Sequence, residues 1–264
     1  MGISLTRTPL RCPHCLAVLN ETEGGLVCAS NHRFDRAREG YVNLLPGGRL
    51  KGRDPGDNAD MIAARRAVFD AGHYRPVMAA VARAVAAGEP THVLDAGCGE
   101  GSYLAAVEAP DRLGIDVSKP AIKLAARRWK DCRFAVASSF HLPVADASVD
   151  ALVSVFAPRP FDEFARVLRP GGAAVVASPG PDHFAGLTDL IYDAHEPHDT
   201  RPHSVEAAAI EQVRYELRLG QPDLLQLVMM TPYWWKATPD QQADIAGRAE
   251  LRVQIDIVVS THHL

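Results

Sequence analysis

Short apolar runs alternate with stretches of helical period through the middle of this chain. Val93-Leu94, Leu113-Gly-Ile115, Arg133-Phe-Ala-Val-Ala137, Asp150–Phe156 and Ala173–Ala177 are too short for helices and read as buried strands. Ser118 can cap a helix running through Trp129, and Phe161 to Leu168 reads as a short helix closed by Pro170-Gly171-Gly172. Ahead of the first strand, Met61, Ile62, Ala64, Arg65, Ala67 and Val68 give a helical face from Asp60 onward. Gly72-His73-Tyr74 interrupts it, and Pro76 opens a second helix to Ala87; both helices are expected on one face of the sheet. Strands spaced by helices predict an α/β fold, a doubly wound parallel sheet that binds ligands at the carboxyl ends of its strands.

The last third is less regular. Asp182 to His198 reads as a loop and a helical run, and His183, His195, His198 and His203 share no metal-ligand spacing. Leu224 to Trp235 is a hydrophobic element ending in an aromatic cluster; core packing is the default for Tyr233, Trp234 and Trp235, base stacking the sharper alternative. Leu251 to Ile257 alternates apolar and polar, as a final antiparallel strand does.

Candidate chemistry concentrates after the first strand of the sheet. Asp95 ends that strand, and Gly97, Gly99 and Gly101 make a G-x-G-x-G turn that opens a helix. Glycine admits positive φ and lets a ligand approach the backbone, while the helix start offers unpaired N–H groups. Asp116 ends the next strand, where a ribose-binding carboxylate belongs in such folds. A dinucleotide site shows G-x-G-x-x-G, a spacing this turn lacks. Gly72 and Tyr74 lie where the helical prelude comes near the mouth of this cleft, although a tyrosine there is equally a half-buried core residue.

The front end has its own pattern. Cys12-Pro-His-Cys15 and Cys28-Ala-Ser-Asn-His32 form a C-x2-C and a C-x3-H pair, four ligands for a tetrahedral zinc. His14 is an alternative to His32 as the fourth. Asn20 to Gly25 reads as the turn of a hairpin, with Leu26-Val27 starting the return strand. Four protein ligands leave no open position, so the zinc reads as structural and supplies folding energy to a small unit. Residues 46–56 are rich in turn formers and carry Arg49, Lys51 and Arg53: a linker, or a basic arm for a phosphate backbone. The division that follows is a zinc-binding domain over 1–46, a linker over 47–59 and a catalytic domain over 60–264.

Composition adds bounds. With 264 residues, 47% apolar and 23% charged, the chain reads as an ordinary globular protein. Its net charge of −4 divides into +3 over residues 1–75 and −7 beyond, which allows local phosphate contacts without demanding them. Five cysteines, three of them within the first 28 residues, suggest metal rather than disulfides. Apolar runs fall short of a bilayer span and the layout of a signal peptide is missing, so a cytoplasmic protein without a membrane partner is expected.

Residues 92 to 178, with Leu142-Pro143 and Pro170-Gly171-Gly172 downstream of the turn, resemble the Rossmann-like class I methyltransferases that use S-adenosylmethionine. A narrower likeness rests on both cysteine pairs, Glu39-Gly-Tyr-Val-Asn-Leu-Leu-Pro46, Arg53-Asp-Pro-Gly-Asp57, Asp70-Ala-Gly-His-Tyr74, Ser178-Pro-Gly-Pro-x-His183 and Met230-Thr-Pro-Tyr-Trp-Trp235. Together these resemble the 23S rRNA (guanine-N1)-methyltransferase family, which includes housekeeping enzymes and relatives conferring resistance to tylosin-type macrolides. The resemblance implies a homodimer whose N-terminal zinc domain recognises RNA. It also implies methylation at N1 of one guanine in a 23S rRNA hairpin near the peptide exit tunnel. By position it puts Tyr74, Gly99, Glu100, Asp116 and His183 at the cofactor, alongside Gly97 of the turn. Ser178-Pro179 stands where amino-methylating classes carry Asn/Asp-Pro-Pro-Tyr motifs, which argues against transfer to an exocyclic amine. The guanine is expected to flip into the cleft near Phe156-Ala-Pro158, its N1 proton going to a carboxylate, histidine or water; the sequence names no catalytic base. Two other readings fit the same residues: a small-molecule methyltransferase of a biosynthetic pathway, and a non-catalytic protein binding zinc and the cofactor.

Overall fold

The computed structural model describes residues 7–46, 58–191 and 205–264. The basic segment Arg49 to Arg53 and the histidines His195, His198 and His203 lie outside the described residues.

Three short strands form the front end: β1 (Leu19–Thr22), β2 (Gly25–Cys28) and β3 (Arg33–Asp35), an antiparallel sheet in that order. The first turn is tighter than the sequence suggests, because β1 runs through Thr22 and pairs it with Gly25. A short strand, β4 (Val42–Asn43), then leaves the front end for the edge of the main sheet.

The remaining elements follow in chain order: α1 (Ala59–Asp70), α2 (Arg75–Ala86), β5 (His92–Ala96), α3 (Ser102–Ala106), β6 (Asp111–Asp116), α4 (Lys119–Arg128), β7 (Arg133–Val136), β8 (Val149–Val155), α5 (Phe161–Val167), β9 (Leu168–Pro179), β10 (Ala209–Gly220), α6 (Gln221–Met229), α7 (Pro232–Lys236), α8 (Pro239–Gly247) and β11 (Glu250–His263). Asn58 caps α1 by accepting from Met61 N–H, and Ser118 caps α4 by accepting from Ala121 N–H. Within 182–191, the only helical piece is the 3-10 turn Thr188–Leu190. Thr231 separates α6 from α7, so Leu224 to Trp235 is two helices. Helix α2 packs on the sheet as expected; α1 lies against α6.

The main sheet has the order β10-β11-β9-β8-β5-β6-β7-β4. Strands β4, β7, β6, β5, β8 and β9 are parallel, β11 is antiparallel to β9, and β10 to β11. From β5 the chain steps outward to β6 and β7, then returns to place β8 on the other side. The order reverses at β5, and a ligand crevice opens at such a switch point, outside the carboxyl ends of the strands.

One connection departs from the doubly wound pattern. Residues 137–148, between β7 and β8, contain no helix, although parallel strands are usually joined by one on the sheet face. The front end covers this face instead. Leu10, Cys12, Leu19, Leu26 and Cys28 belong to one buried cluster with Leu94, Leu113, Ile115, Ala135 and Val144. Leu10 bridges Val144 and Arg11 N–H donates to Pro143 O at 2.8 Å, while Arg127 and Lys123 of α4 hold Glu39 at 3.0 and 3.7 Å. The small zinc unit therefore does not rely on metal alone: it borrows a core from the sheet.

Candidate active site and metal centre

In the front end, the ligand atoms of Cys12, Cys15, Cys28 and His32 all lie within 4.8 Å of one another. Cys15 Sγ and Cys28 Sγ are 3.6 Å apart, and His32 Nδ1 is 3.4 Å from Cys12 Sγ and 3.3 Å from Cys28 Sγ. A tetrahedron of sulfur and nitrogen around zinc has edges of about 3.8 Å and slightly less, so these four fit a structural zinc. Backbone N–H from Ala17 and the Ser30 hydroxyl bring the Cys15 thiol down to about 6, favouring the thiolate that binds metal. His14 is not the fourth ligand; its ring stacks on Phe34 at 6.0 Å and tilts against His32 at 5.1 Å.

At the carboxyl end of β5, Gly97 and Cys98 N–H groups reach back to Ile115 O at 2.7 and 3.0 Å, folding the glycine turn over β6. Gly97 has φ +91, and a Cβ there would stand 2.5 Å from Ala157 Cβ. Glycine is required, because the loop after β8 presses directly on the turn. Asp116 ties the turn from the other side: Oδ2 accepts from Gly99 N–H at 2.9 Å and Oδ1 from Ser118 N–H at 2.7 Å. Glu100 Oε1 accepts from Ser102 N–H at 3.0 Å.

Several polar atoms here are buried without a hydrogen-bond partner: both oxygens of Asp95, Glu100 Oε2 and the Tyr103 hydroxyl. Burial, then the charges of Asp116 and Glu100, push the Asp95 carboxyl well above its ordinary range. Such orphans are rare in folded chains and mark a place where a ligand supplies the missing donors.

Tyr74 is fully buried. Phe69 joins it to Tyr103, with ring centroids at 5.5 and 5.6 Å, and burial followed by the neighbouring phenols Tyr103 and Tyr215 raises the Tyr74 hydroxyl.

His183 approaches from the β9 side and is also buried. Its Nδ1 accepts from Asp256 N–H at 3.3 Å, and its ring contacts Phe184 at 3.9 Å and stacks on Phe156 at 5.9 Å. Asp256, fully buried on β11, receives Asp182 N–H at 3.1 Å and Gln212 Nε2 at 2.7 Å, fixing the loop that carries His183.

Ring contacts thus link Tyr74 through Phe69 to Tyr103 of α3, and His183 to Phe156, whose neighbour Ala157 presses on the turn. Asp95, which precedes the glycine turn in the sequence signature, is buried at the end of β5 with both oxygens unmet, a state that the sequence does not announce. Phe156, 46% exposed with φ +52, was noted for its neighbourhood alone; left-handed backbone at a non-glycine costs about 1 kcal/mol or more and collects at functional sites.

A separate groove of about 720 Å³ lies at the opposite ends of the strands. Its charges satisfy each other, Arg83 with Glu211 and Arg169 with Asp150, both at 2.6 Å. Among the described residues no helix is long and apolar enough to cross a membrane.

Comparison with known proteins agrees with this architecture. Residues 10–51 match a family model described as RlmA, N-terminal, a zinc ribbon, and residues 93–172 match a methyltransferase domain. A solved structure from Anaeromyxobacter dehalogenans, described as a type II methyltransferase candidate, superposes with a TM-score of 0.52 at 20% identity, over 72% of this chain and 95% of that one, which supports the fold alone. The 23S rRNA (guanine(748)-N(1))-methyltransferase of Streptomyces fradiae is 38% identical over 95% of both chains. A protein of Micromonospora griseorubida, named as a candidate 23S rRNA (guanine-N(1)-)-methyltransferase, is 40% identical over 87% of this chain and 88% of its own. With its ribbon and sheet both matched over nearly their whole length, this chain belongs to the 23S rRNA (guanine-N1)-methyltransferase family.

Proposed function

We infer that this chain transfers a methyl group from S-adenosylmethionine to N1 of one guanine in a 23S rRNA hairpin near the peptide exit tunnel, and so alters macrolide sensitivity. The observation that carries the reading is that likeness to the Streptomyces fradiae enzyme spans 95% of both chains, the ribbon included. A likeness confined to the sheet would speak for the cofactor and not for the RNA.

The cleft suits the cofactor on its own terms. An ammonium and two ribose hydroxyls are donors, and Asp95, Glu100 and Tyr103 present buried polar atoms that lack them. Gly97, Gly99, Glu100 and Asp116 hold the cofactor along the turn, Tyr74 closes it from the helical prelude and His183 from the β9 side. When bound, the sulfonium supplies an activated methyl group; the chain contributes binding, orientation and electrostatics.

Asp116 stands on the β6 side of the turn and Phe156 on the β8 side. The cofactor's ribose belongs to the former, which leaves the exposed Phe156 ring for the flipped guanine. Residues 1–46 recognise the shape and phosphates of the RNA, 47–59 connect, 60–264 carry the chemistry, and two copies form the working homodimer.

N1-methylation blocks Watson–Crick pairing, so primer extension on 23S rRNA should stop at one guanine in a strain carrying the gene. Deletion should remove the stop and restoration return it. A stop that persists without the gene, or labelled methyl appearing only in RNA-free extract, sinks the assignment. Light scattering should give about twice the 28.5 kDa chain mass.

A further inference from the structure

The amino-acid end of S-adenosylmethionine is a zwitterion, and the carboxylates of the cleft suit only half of it. Glu100 and Asp116 place carboxylates along the glycine turn, and, after burial itself, they are the charges that keep Asp95 behind them from ionising. That charge attracts an ammonium and a sulfonium and repels an α-carboxylate. A carboxylate seated there needs a cation, and a planar guanidinium offers paired donors.

Arg65 reaches this turn from α1. Its Nη1 lies 3.6 Å from where a Cβ on Gly99 would stand, and apart from the turn's own neighbouring residues no other atom falls within 4 Å of that point. Its Nη2 donates to Met230 O at 3.4 Å, a long bond that helps orient the head. Glycine at 99, with φ +54, keeps the space between turn and guanidinium open.

The same cation is felt across the cleft: it works against the burial that raises the Tyr74 and Tyr103 hydroxyls. Two neighbouring arginines both meet Asp70. Arg66 meets Asp70 at 3.5 Å. Arg128, within the field of Glu100, bonds Asp70 at 2.6 Å and lies over the Trp129 ring at 4.6 Å, bracing α4 against α1.

We propose that Arg65 holds the α-carboxylate of S-adenosylmethionine above Gly99 and makes the cleft selective for cofactors that carry it. The proposal rests on the cofactor reading of the cleft and is independent of the RNA substrate.

Calorimetric titration of the full-length, zinc-loaded chain with S-adenosylmethionine and with its decarboxylated analogue tests it. Both ligands keep the sulfonium and the ammonium; only one has the carboxylate. The wild-type chain should prefer S-adenosylmethionine by about 10- to 100-fold, the strength of a charge-assisted bond. Arg65→Gln should raise the Kd for S-adenosylmethionine by the same factor and shift the Kd for the decarboxylated analogue less than about threefold. Arg65→Lys should keep part of the preference.

A wild-type chain indifferent to the carboxylate overturns the proposal even if the glutamine variant does not fold. So does a glutamine variant that weakens both ligands equally or neither. If the wild-type chain binds neither ligand, the cofactor reading falls instead.

Discussion

Removing the zinc should melt the catalytic sheet and not merely the ribbon, because the ribbon stands in for the missing helix between β7 and β8. Cys12→Ser removes a buried ligand from the four-residue set. Without metal, the unit loses the share of its folding energy that zinc supplies and cannot keep its side of the shared core in place. Leu10, Leu19 and Leu26 then leave the shared cluster over Leu113, Ile115 and Ala135. At about 1.5–3 kcal/mol for each buried aliphatic side chain, the loss is roughly 5–9 kcal/mol. A whole domain has about 5–15 kcal/mol of stability. At about 2–4 °C per kcal/mol, the melting temperature should fall by at least about 10 °C. The three tryptophans, Trp129, Trp234 and Trp235, all lie beyond the ribbon, so a fluorescence melt reports on the catalytic part alone. Metal content by mass spectrometry confirms the perturbation. A metal-free variant whose tryptophan melt overlays the wild type within about 2 °C would refute the shared core, since that scale requires several kcal/mol to be missing.

Three further outcomes follow from side chains with defined partners. Phe156→Ala should lower kcat/KM on rRNA by about 10- to 100-fold, the strength of one stacked base, while Phe156→Tyr retains most of it; cofactor affinity should be unchanged in both, and a loss of that affinity would place the ring on the wrong ligand. Asp95 is an acid whose folded pKa is raised by burial and then by Asp116 and Glu100, so its ionisation destabilises the ligand-free fold as pH rises from the unfolded value through the folded one. Asp95→Asn should therefore melt higher than wild type at neutral pH yet bind cationic S-adenosylmethionine about tenfold or more weakly; a variant that melts lower at pH 7 contradicts this sign. Asp150 behaves oppositely: burial alone would raise it, but the Thr91 hydroxyl, the His92 and Thr91 N–H groups and Arg169 bring it to about 2. Its contribution of about 2 kcal/mol is present above the unfolded value near 4 and is lost as pH falls toward 2, so the denaturant midpoint of Asp150→Asn should lie below wild type at pH 7 and converge with it in acid.

What the sequence made legible is what local rules decide. The glycine turn, the Ser118 cap and the alternation of apolar strand with helix depend on residues within a few positions of one another, and the structure has them, save that no helix follows β7 and that Pro170-Gly171-Gly172 lies inside β9. Strand β10 escaped notice although Val213, Tyr215, Leu217 and Leu219 alternate with polar neighbours; it is an edge strand only half buried, and its partner β11 lies some forty residues away. Arg65 escaped because arginine is a good helix former, and nothing near it in sequence marks Gly99 as its neighbour in space. The docking of the ribbon escaped because a helix missing from 137–148 is visible as a loop, while the face it leaves bare is visible only once the sheet is assembled.

The two ends of the sheet carry the same kind of residue in opposite electrostatic states, and that contrast identifies the working end more firmly than cavity size does. At the start of β6, Asp111 is buried, yet Arg133 at 2.8 Å and the Thr8 hydroxyl and N–H at 2.6 Å hold it below the ordinary carboxylate range. Asp150, at the start of β8, is equally surrounded by donors. Both stabilise the fold as they stand and need nothing more. At the carboxyl ends, Asp95 and Glu100 are buried with three oxygens that no donor meets, both of Asp95 and Oε2 of Glu100. Folding alone would not retain such groups, because each unpaired buried acceptor costs about 1–3 kcal/mol. That contrast is the reason for placing the proposed cofactor site at the carboxyl ends and not in the groove of about 720 Å³ at the satisfied end.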